Sequence, residues 1–436
     1  MKKILFPALL ILTMVLSACG SKETDTPAAE PIATAIVSEN NGAGNTDSSG
    51  GVISATDENP CITFNLLEMS LSTPYPGLPE VTEDDWIVGP QNAPVTFMVY
   101  SEPQCPYCAQ FDPILDNFQA LYPNDVRAVF RFRPFSENFH DKSILASQAM
   151  EAAGLQGKFD EFRRWIFERQ SKNPNNPDVA NLADSEFWSS LAPDELDEWL
   201  TERVSELGID PDKLIEDMFS DAVVKKIKDS MDSSDALGIN GTPTLFINGY
   251  QWTENSRGAD IFSIYTELIL HQKNEYAVCP EMVIDTTKTY TATIETTQGN
   301  IQVELFDDTA PYAVNSFVFL ANEGWYKNLP VIATDQFALS GDPSDTGYGG
   351  PGYAFKDELN PDLNFDEPGM LSTFGIGPGL NGSSFFLNKT ALTGQESRTI
   401  FGKVTEGLDV LNSLALRDKV LTPVIDRILT ITINES

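Results

Sequence analysis

The chain has 436 residues, 41% hydrophobic and 10% aromatic, a globular composition too long for one ordinary core. Its 28 Lys and Arg stand against 64 Asp and Glu, a net charge of −36, which excludes a nucleic-acid-binding function built on neutralising phosphates. The acidic excess reads as solubility and self-repulsion and names no partner.

Lys2 and Lys3 precede an apolar run, ILFPALLILTMVL (4–16), followed by small residues. This is the pattern of a secretory signal, and the run is short for a membrane-spanning helix. Leu16-Ser17-Ala18-Cys19 resembles the lipobox of bacterial lipoproteins. The resemblance implies that residues 1–18 are a lipoprotein signal peptide and that Cys19 is lipidated; two or more acyl chains make a stable anchor. The plainer alternative is an ordinary signal peptide with an incidental cysteine. Residues 19–58 are rich in Ser, Thr, Gly, Ala and Asn and contain no aromatic residue. Such a segment buries too little apolar surface to offset its ordering entropy, so a disordered tether is expected.

Residues 94–101, PVTFMVYS, form an apolar strand run that ends at Cys105-Pro106-Tyr107-Cys108. The next stretch carries Phe111, Ile114, Leu115, Phe118 and Leu121 at helical spacing, and VRAVFRF (126–132) is a second strand. The cysteine pair therefore lies in a β-α-β unit, between strand and helix. Residues 141–235 are mostly helical in pattern, with a Pro/Asn-rich break at 171–178. GINGTPTLFINGYQW (238–252) reads as turn, strand, turn and strand, and a last helix is expected over 261–273. After Asp285 the texture becomes mainly β, with a hairpin around Gly299-Asn300 and one amphipathic helix over 310–322. No internal repeat relates the halves.

A zinc site needs about four ligands, commonly two pairs. Beyond Cys105 and Cys108 the chain offers only Cys19, Cys61, Cys279, His140 and His271, so no second pair exists and no metal is expected. Copper on the two thiolates is a minority alternative. In an exported protein a CxxC at a strand-to-helix turn reads as redox-active. Cys105 falls at the helix N-terminus, where unpaired N–H groups favour a thiolate. Cys108, one turn later, is placed to resolve a mixed disulfide.

The stretches GPQNAPVTFMVYSEPQCPYC (89–108), QAMEAAGLQGKF (148–159) and ALGINGTPTLFINGY (236–250) occur in family order. Through them the chain resembles the DsbA-like members of the thioredoxin superfamily over about residues 84–275. The resemblance implies an α/β thioredoxin fold with a helical insert, Cys105 as nucleophile and Cys108 as resolving thiol. It also implies a cis bond at Thr242-Pro243 beside the dithiol, exposing backbone to a substrate strand. One departure concerns the buried acid that many members carry six residues before the first cysteine. Here that position is Val99. Glu102 is the nearby acid, and a solvated surface position is expected for it.

Cys61 and Cys279 flank this region. In an oxidising compartment unpaired cysteines are unfavourable, and elimination leaves these two as a structural disulfide tying the ends of a domain over 59–280. A second, regulatory redox pair is the alternative.

Residues 288–434 resemble a cyclophilin through 294–326 (IETTQGNIQVELFDDTAPYAVNSFVFLANEGWY), 341–358 (GDPSDTGYGGPGYAFKDE), 369–386 (GMLSTFGIGPGLNGSSFF) and 398–414 (RTIFGKVTEGLDVLNSL). This implies a mainly-β, eight-stranded barrel as a second domain over 285–436. The family's catalytic arginine and its neighbouring histidine are missing: 326–343 contains no Arg and no His. Leu339 stands at a pocket glutamine position, Gly375 at a pocket asparagine and Ser384 at a second glutamine. Phe386 keeps its pocket place as a vestige, and Arg398 lies near a pocket histidine position.

The expected protein is a lipid-anchored, extracytoplasmic thiol–disulfide oxidoreductase fused to a cyclophilin-like domain without isomerase activity. Its expected partners are cysteine-containing exported proteins, the membrane through its lipid, and a membrane redox partner, with no nucleic acid. No cofactor is expected, because the dithiol itself cycles. The alternative is a surface-tethered peptide-binding, holdase or copper-binding protein with vestigial catalysis.

Overall fold

The computed structural model describes residues 54–65, 74–135, 140–170, 187–253, 258–395 and 397–436. The signal peptide, Cys19 and all but the last few residues of the tether lie outside these. The chain divides into two compact units, one over Thr73–Thr266 and the other from the residues before it together with Glu267–Ser436.

The first unit is built on a five-stranded sheet. Its strands are β1 (Trp86–Val88), β2 (Val95–Ser101), β3 (Val126–Phe132), β4 (Thr244–Ile247) and β5 (Tyr250–Gln251), in the order β1-β3-β2-β4-β5. β2 is central, parallel to β3 and antiparallel to β4. It is covered on both faces, and this explains why VTFMVYS reads as a continuous apolar run rather than an alternation. The crossover between β2 and β3 is α1 (Pro106–Leu121). Pro106 occupies its first position, where the missing N–H costs nothing and φ is preset.

On one face Phe97 of β2, Phe118 of α1 and Phe262 of α7 (Ala259–His271) meet with ring centroids 5.0–5.5 Å apart. On the other, Met98, Tyr100, Val129, Ile239 and Phe246 form a second cluster. The helical insert comprises α2 (Ser143–Leu155), α3 (Phe159–Glu168), α4 (Leu196–Arg203), α5 (Pro211–Met218) and α6 (Asp221–Ala236). α2 comes so close to Trp86 that a Cβ on Gly154 would stand 2.2 Å from its ring. Arg163 of α3 is fully buried and pairs with Asp112 and Asp116 of α1, the latter at 2.6 Å, and with Asp160 at 2.8 Å. A buried guanidinium shared among three carboxyl groups locks the dithiol helix to the insert, and losing Arg163 would leave these acids without their common charge partner.

The second unit is a sheet of nine strand segments curled into a nearly closed barrel. Their order is Ile332–Ala333, Phe337–Ser340, Phe385–Asn388, Met370–Thr373, Ile400–Glu406, Gly299–Leu305, Tyr290–Thr296, Arg427–Glu435 and Leu329–Pro330. The first and last segments are separated only by Val331, so they act as one interrupted strand and the barrel is effectively eight-stranded. Strict alternation of buried and outward residues in Tyr290–Thr296 and Gly299–Leu305 aims Ile294, Ile301 and Val303 inward. They meet Leu371, Phe385, Leu387, Phe401 and Phe317 of the helix Pro311–Asn322.

The boundaries expected at 59–280 and 285–436 do not match this division. Cys61–Thr63 is a strand, paired antiparallel with Tyr353–Phe355 of the second unit. Pro60 O accepts from Lys356 N at 3.0 Å, and Phe64 N donates to Gly352 O at 3.1 Å. Beyond the last helix, Tyr276 N donates to Pro351 O at 2.8 Å, and Val283 N donates to Asn315 Oδ1 at 2.6 Å. The open backbone edge of Tyr353–Phe355 supplies the pairing, a demand that no pattern in the flanking segments announces. Cys61 and Cys279 form a disulfide inside this second unit, with Cα atoms 6.2 Å apart and a sequence separation of 218. The expected bridge is therefore formed between the segments that precede and follow the first unit, and it lies within the second unit rather than the first. It links the two flanking segments to each other, and their backbone bonds to 351–356 hold both to the second unit.

Candidate functional site: the Cys105–Cys108 dithiol

Cys105 is the residue before α1, with extended backbone (φ −69°, ψ 118°), and Cys108 is on the first turn. Both are free cysteines and both are buried. The Thr242–Pro243 peptide is cis, and it brings the start of β4 to the sulfur: Cys105 Sγ lies 3.3 Å from Thr242 O. Four residues expected at the site, Cys105, Cys108, Thr242 and Pro243, are thus assembled across a gap of 137 residues.

The two thiols are pushed in opposite directions. The Cys105 thiol falls to about 6, first through its hydrogen bond with Cys108, against the cost of burial, and further through Thr242 and the N–H groups of Cys108 and Tyr107. Cys108 rises well above 9, chiefly by burial and then by the neighbouring Cys105; the Ser101 hydroxyl and the Glu102 N–H oppose this. One sulfur is poised as a thiolate and the other is held as a thiol, a division set by depth and helix-end position. Tyr107 between them is 68% exposed.

Glu102 is not on the surface as expected; it is 1% exposed. The central strand ends at Ser101, and the chain is still inside the core at the next residue. Glu102 Oε2 accepts from Gln104 N at 2.8 Å and from Ser143 Oγ at 2.7 Å, and Oε1 meets His140 Nδ1. Gln104 adds two links to the same turn: its Nε2 donates to Asp141 Oδ1 and its Oε1 accepts from Lys142 N, both at 2.7 Å. Sequence reasoning missed Ser101, His140 and Ser143 as neighbours of the dithiol. The only available signal was an acid between the end of an all-apolar strand and a CxxC.

In the barrel, Phe386 is 3% exposed and sits with Leu339, Phe365, Met370 and Ile400. Phe365 stacks on it, with centroids 5.5 Å apart. Arg398 lies over Phe374 at 4.7 Å and over Phe386 at 5.7 Å, its Nε donating to Gln395 Oε1 at 2.7 Å. Leu339 is directly opposite Phe386 across the strands. At Gly375 a Cβ would stand 2.8 Å from Asn381 Oδ1, so the loop closes where a side chain was expected from the family pattern.

Residues 291–433 match the model of the cyclophilin type peptidyl-prolyl cis-trans isomerase/CLD family, and residues 81–264 match a thioredoxin family model. A peptidyl-prolyl cis-trans isomerase of Helicobacter pylori is 41% identical over 136 residues, covering 30% of this chain and 83% of the relative. The peptidyl-prolyl cis-trans isomerase-like 1 of Rhizopus delemar is 36% identical over 129 residues, 28% of this chain and 78% of the relative. Among solved structures, oxidised BdbD from Bacillus subtilis is similar over 43% of this chain and 94% of its own, at 23% identity and a TM-score of 0.34.

Proposed function

Because the chain belongs to the cyclophilin-type peptidyl-prolyl isomerase family through residues 291–433 and carries a thioredoxin domain ahead of it, we propose that it is a thiol–disulfide oxidoreductase whose cyclophilin half has lost isomerase activity. The reaction runs through Cys105 and Cys108 on cysteine-containing exported proteins, outside the cytoplasm, from a lipid anchor on Cys19. A single observation carries the redox reading: a dithiol whose first thiol is lowered to about 6 and whose second is raised, with the Thr242 carbonyl 3.3 Å from the first sulfur.

In the reducing direction the Cys105 thiolate attacks one sulfur of a substrate disulfide. An S–S bond forms between Cys105 and the substrate, and the second substrate sulfur leaves as a thiolate. Cys108 then gives up its proton to solvent or to that leaving thiolate and attacks Cys105. The Cys105–Cys108 disulfide forms as the first substrate sulfur departs, so the substrate is reduced by two electrons and the dithiol is oxidised. The oxidising direction is the same sequence reversed. The role of Thr242 is to present backbone for an extended substrate segment, since its carbonyl already faces the sulfur.

The competing reading, a tethered copper or peptide binder, has less support. Copper would have the two sulfurs alone, since no group of three or more His, Cys, Asp or Glu side chains able to hold a metal occurs among the described residues. Loss of isomerase function is favoured by Arg398 over Phe386, by Leu339 opposite it and by the closed loop at Gly375. One trapping experiment tests the proposal. Cys108→Ser cannot resolve the mixed disulfide, so disulfide-linked adducts with exported proteins should accumulate in the membrane fraction. They should vanish in the Cys105→Ser/Cys108→Ser double variant and shift to the soluble fraction, or fail to mature, with Cys19→Ala. Equal adducts in the double variant would refute the dithiol reading. A Cys19→Ala protein still firmly on the membrane would refute the anchor.

A further inference from the structure

We propose that the backbone edge of Tyr353–Phe355, with the apolar hollow beside Ala354, is a binding site for an extended peptide, filled here by the chain's own residues 54–64 and kept closed by the Cys61–Cys279 bridge. The ligand class is a strand-forming segment with one aliphatic side chain at the place of Ile62 and an acid at the place of Asp57. The inference goes beyond the redox reading and does not depend on the dithiol.

The site is built mainly from backbone. Tyr353–Phe355 lies outside the nine-segment sheet, and among the described residues its ladder is with Cys61–Thr63, Ile62 standing opposite Ala354. On its other side Phe355 N donates to Asn381 O at 2.8 Å. The outer side is therefore satisfied by the strap: Lys356 N donates to Pro60 O and Gly352 O accepts from Phe64 N. A further rung runs from Ala55 N to Gly379 O at 3.0 Å, so close that a Cβ on Gly379 would stand 2.4 Å from Ala55 O. Ala55 and Ile62 are buried against Ala354 and Leu380, with Phe64 and Ile376 beside them. Asp57 Oδ1 meets Lys356 Nζ at 2.8 Å. Without the strap, Lys356 N and Gly352 O lose these partners and Ala354 loses its cover. Such an open edge is a ready template for another strand, with main-chain bonds giving affinity and the hollow giving specificity.

The two ends of the bridge are held unequally. The Cys279 segment has its own anchors on both sides: Tyr276 N on Pro351 O, and Asn315, whose Nδ2 donates to Glu281 O at 3.0 Å while its Oδ1 accepts from Val283 N. It stays on the barrel whether or not the bridge is made. Cys61 sits in a three-residue strand of a two-stranded sheet, a pairing that holds weakly alone. Neither cysteine is fully buried, which leaves the bridge open to a thiol reductant. The opening step needs a reduced dithiol. Its thiolate attacks one bridge sulfur, the Cys61–Cys279 bond breaks as a mixed disulfide forms, and the other sulfur leaves as a thiolate. The second thiol of the reductant then displaces the first bridge sulfur. The reductant ends as a disulfide, and Cys61 and Cys279 gain two electrons and two protons. The strap then docks reversibly, and a segment of like pattern competes with it for the edge.

The probe is a fluorescein-labelled peptide of residues 54–65 carrying Cys61→Ser, which cannot form a disulfide, and binding to the full-length protein is read by anisotropy. The Cys61→Ser/Cys279→Ser protein should bind it at least about tenfold more tightly than the oxidised wild type, because its site is open for a larger fraction of the time. Wild type reduced with dithiothreitol should match that variant. A peptide that also carries Ile62→Asp should not bind. Ile62→Asp added to the double variant weakens the built-in competitor, so the probe should bind more tightly still. By hydrogen exchange, the Ala354 and Lys356 amides should open when the bridge is absent and be protected again by the peptide. Equal binding to the bridged and unbridged proteins overturns the proposal. So does an unbridged protein that binds neither peptide, or both alike. A barrel that loses its near-ultraviolet circular dichroism without the bridge also overturns it, because the site must outlast its latch. Cys105 and Cys108 are unchanged throughout, so failure here leaves the redox reading standing.

Discussion

Cys105→Ser should reduce the rate of insulin reduction with dithiothreitol by more than about 10²-fold. With the Cys105 thiol lowered to about 6, roughly nine-tenths of it is thiolate at pH 7, against a few per cent for an ordinary cysteine. Serine offers no anion at this pH and cannot form the S–S bond on which exchange depends. Nothing else in the unit can stand in. Cys108 is raised well above 9, chiefly by burial, so it offers substrate no thiolate at this pH. A Cys105→Ser protein that keeps a tenth or more of the wild-type rate would mean that the wrong sulfur has been assigned.

The second large effect is expected in the barrel. Assayed with an Ala-Pro peptide in a protease-coupled test, the full-length protein should show a kcat/KM about 10²–10³-fold below that of an active cyclophilin, the usual cost of losing one preorganised donor. Residues 326–343 contain neither arginine nor histidine. Lys327 and Lys356 are charged but do not reproduce a guanidinium fork, and Lys356 is engaged with Asp57 at 2.8 Å. Arg398 does have a guanidinium, but it lies over Phe374 and Phe386, on the ring that would seat a proline. A catalytic efficiency within tenfold of the active control would show that this arrangement still delivers a donor to the prolyl amide.

Much of the dithiol unit was legible because its determinants are local. The apolar run 94–101, the proline after Cys105 and the helical spacing of Phe111, Leu115 and Phe118 place Cys105 at a helix start without any tertiary knowledge. The approach of Thr242 to Cys105, 137 residues away, depends on β4 adding antiparallel to β2, which only the family resemblance anticipated. Glu102 was misread because Glu-Pro-Gln looks like a polar loop. Its burial is decided by where the sheet ends relative to α2, which no property of the tripeptide encodes. The cysteine count identified Cys61 and Cys279 as partners, but their location depended on an unpaired edge at Tyr353–Phe355 that takes up Cys61–Thr63. In the barrel, alternation in 290–305 gave the strands, whereas the tight closure at Gly375 appears only when Asn381 is seen facing it.

The most direct test of the central claim is brief iodoacetamide labelling of the reduced protein across pH 4 to 9, with each cysteine quantified by mass mapping. Cys105 should be labelled ahead of Cys108 at every pH, its rate rising with a midpoint near 6 and levelling above pH 7, as a thiol lowered to about 6 requires. Preferential labelling of Cys108, or a Cys105 rate that still climbs toward pH 9 like a free thiol, would contradict the account.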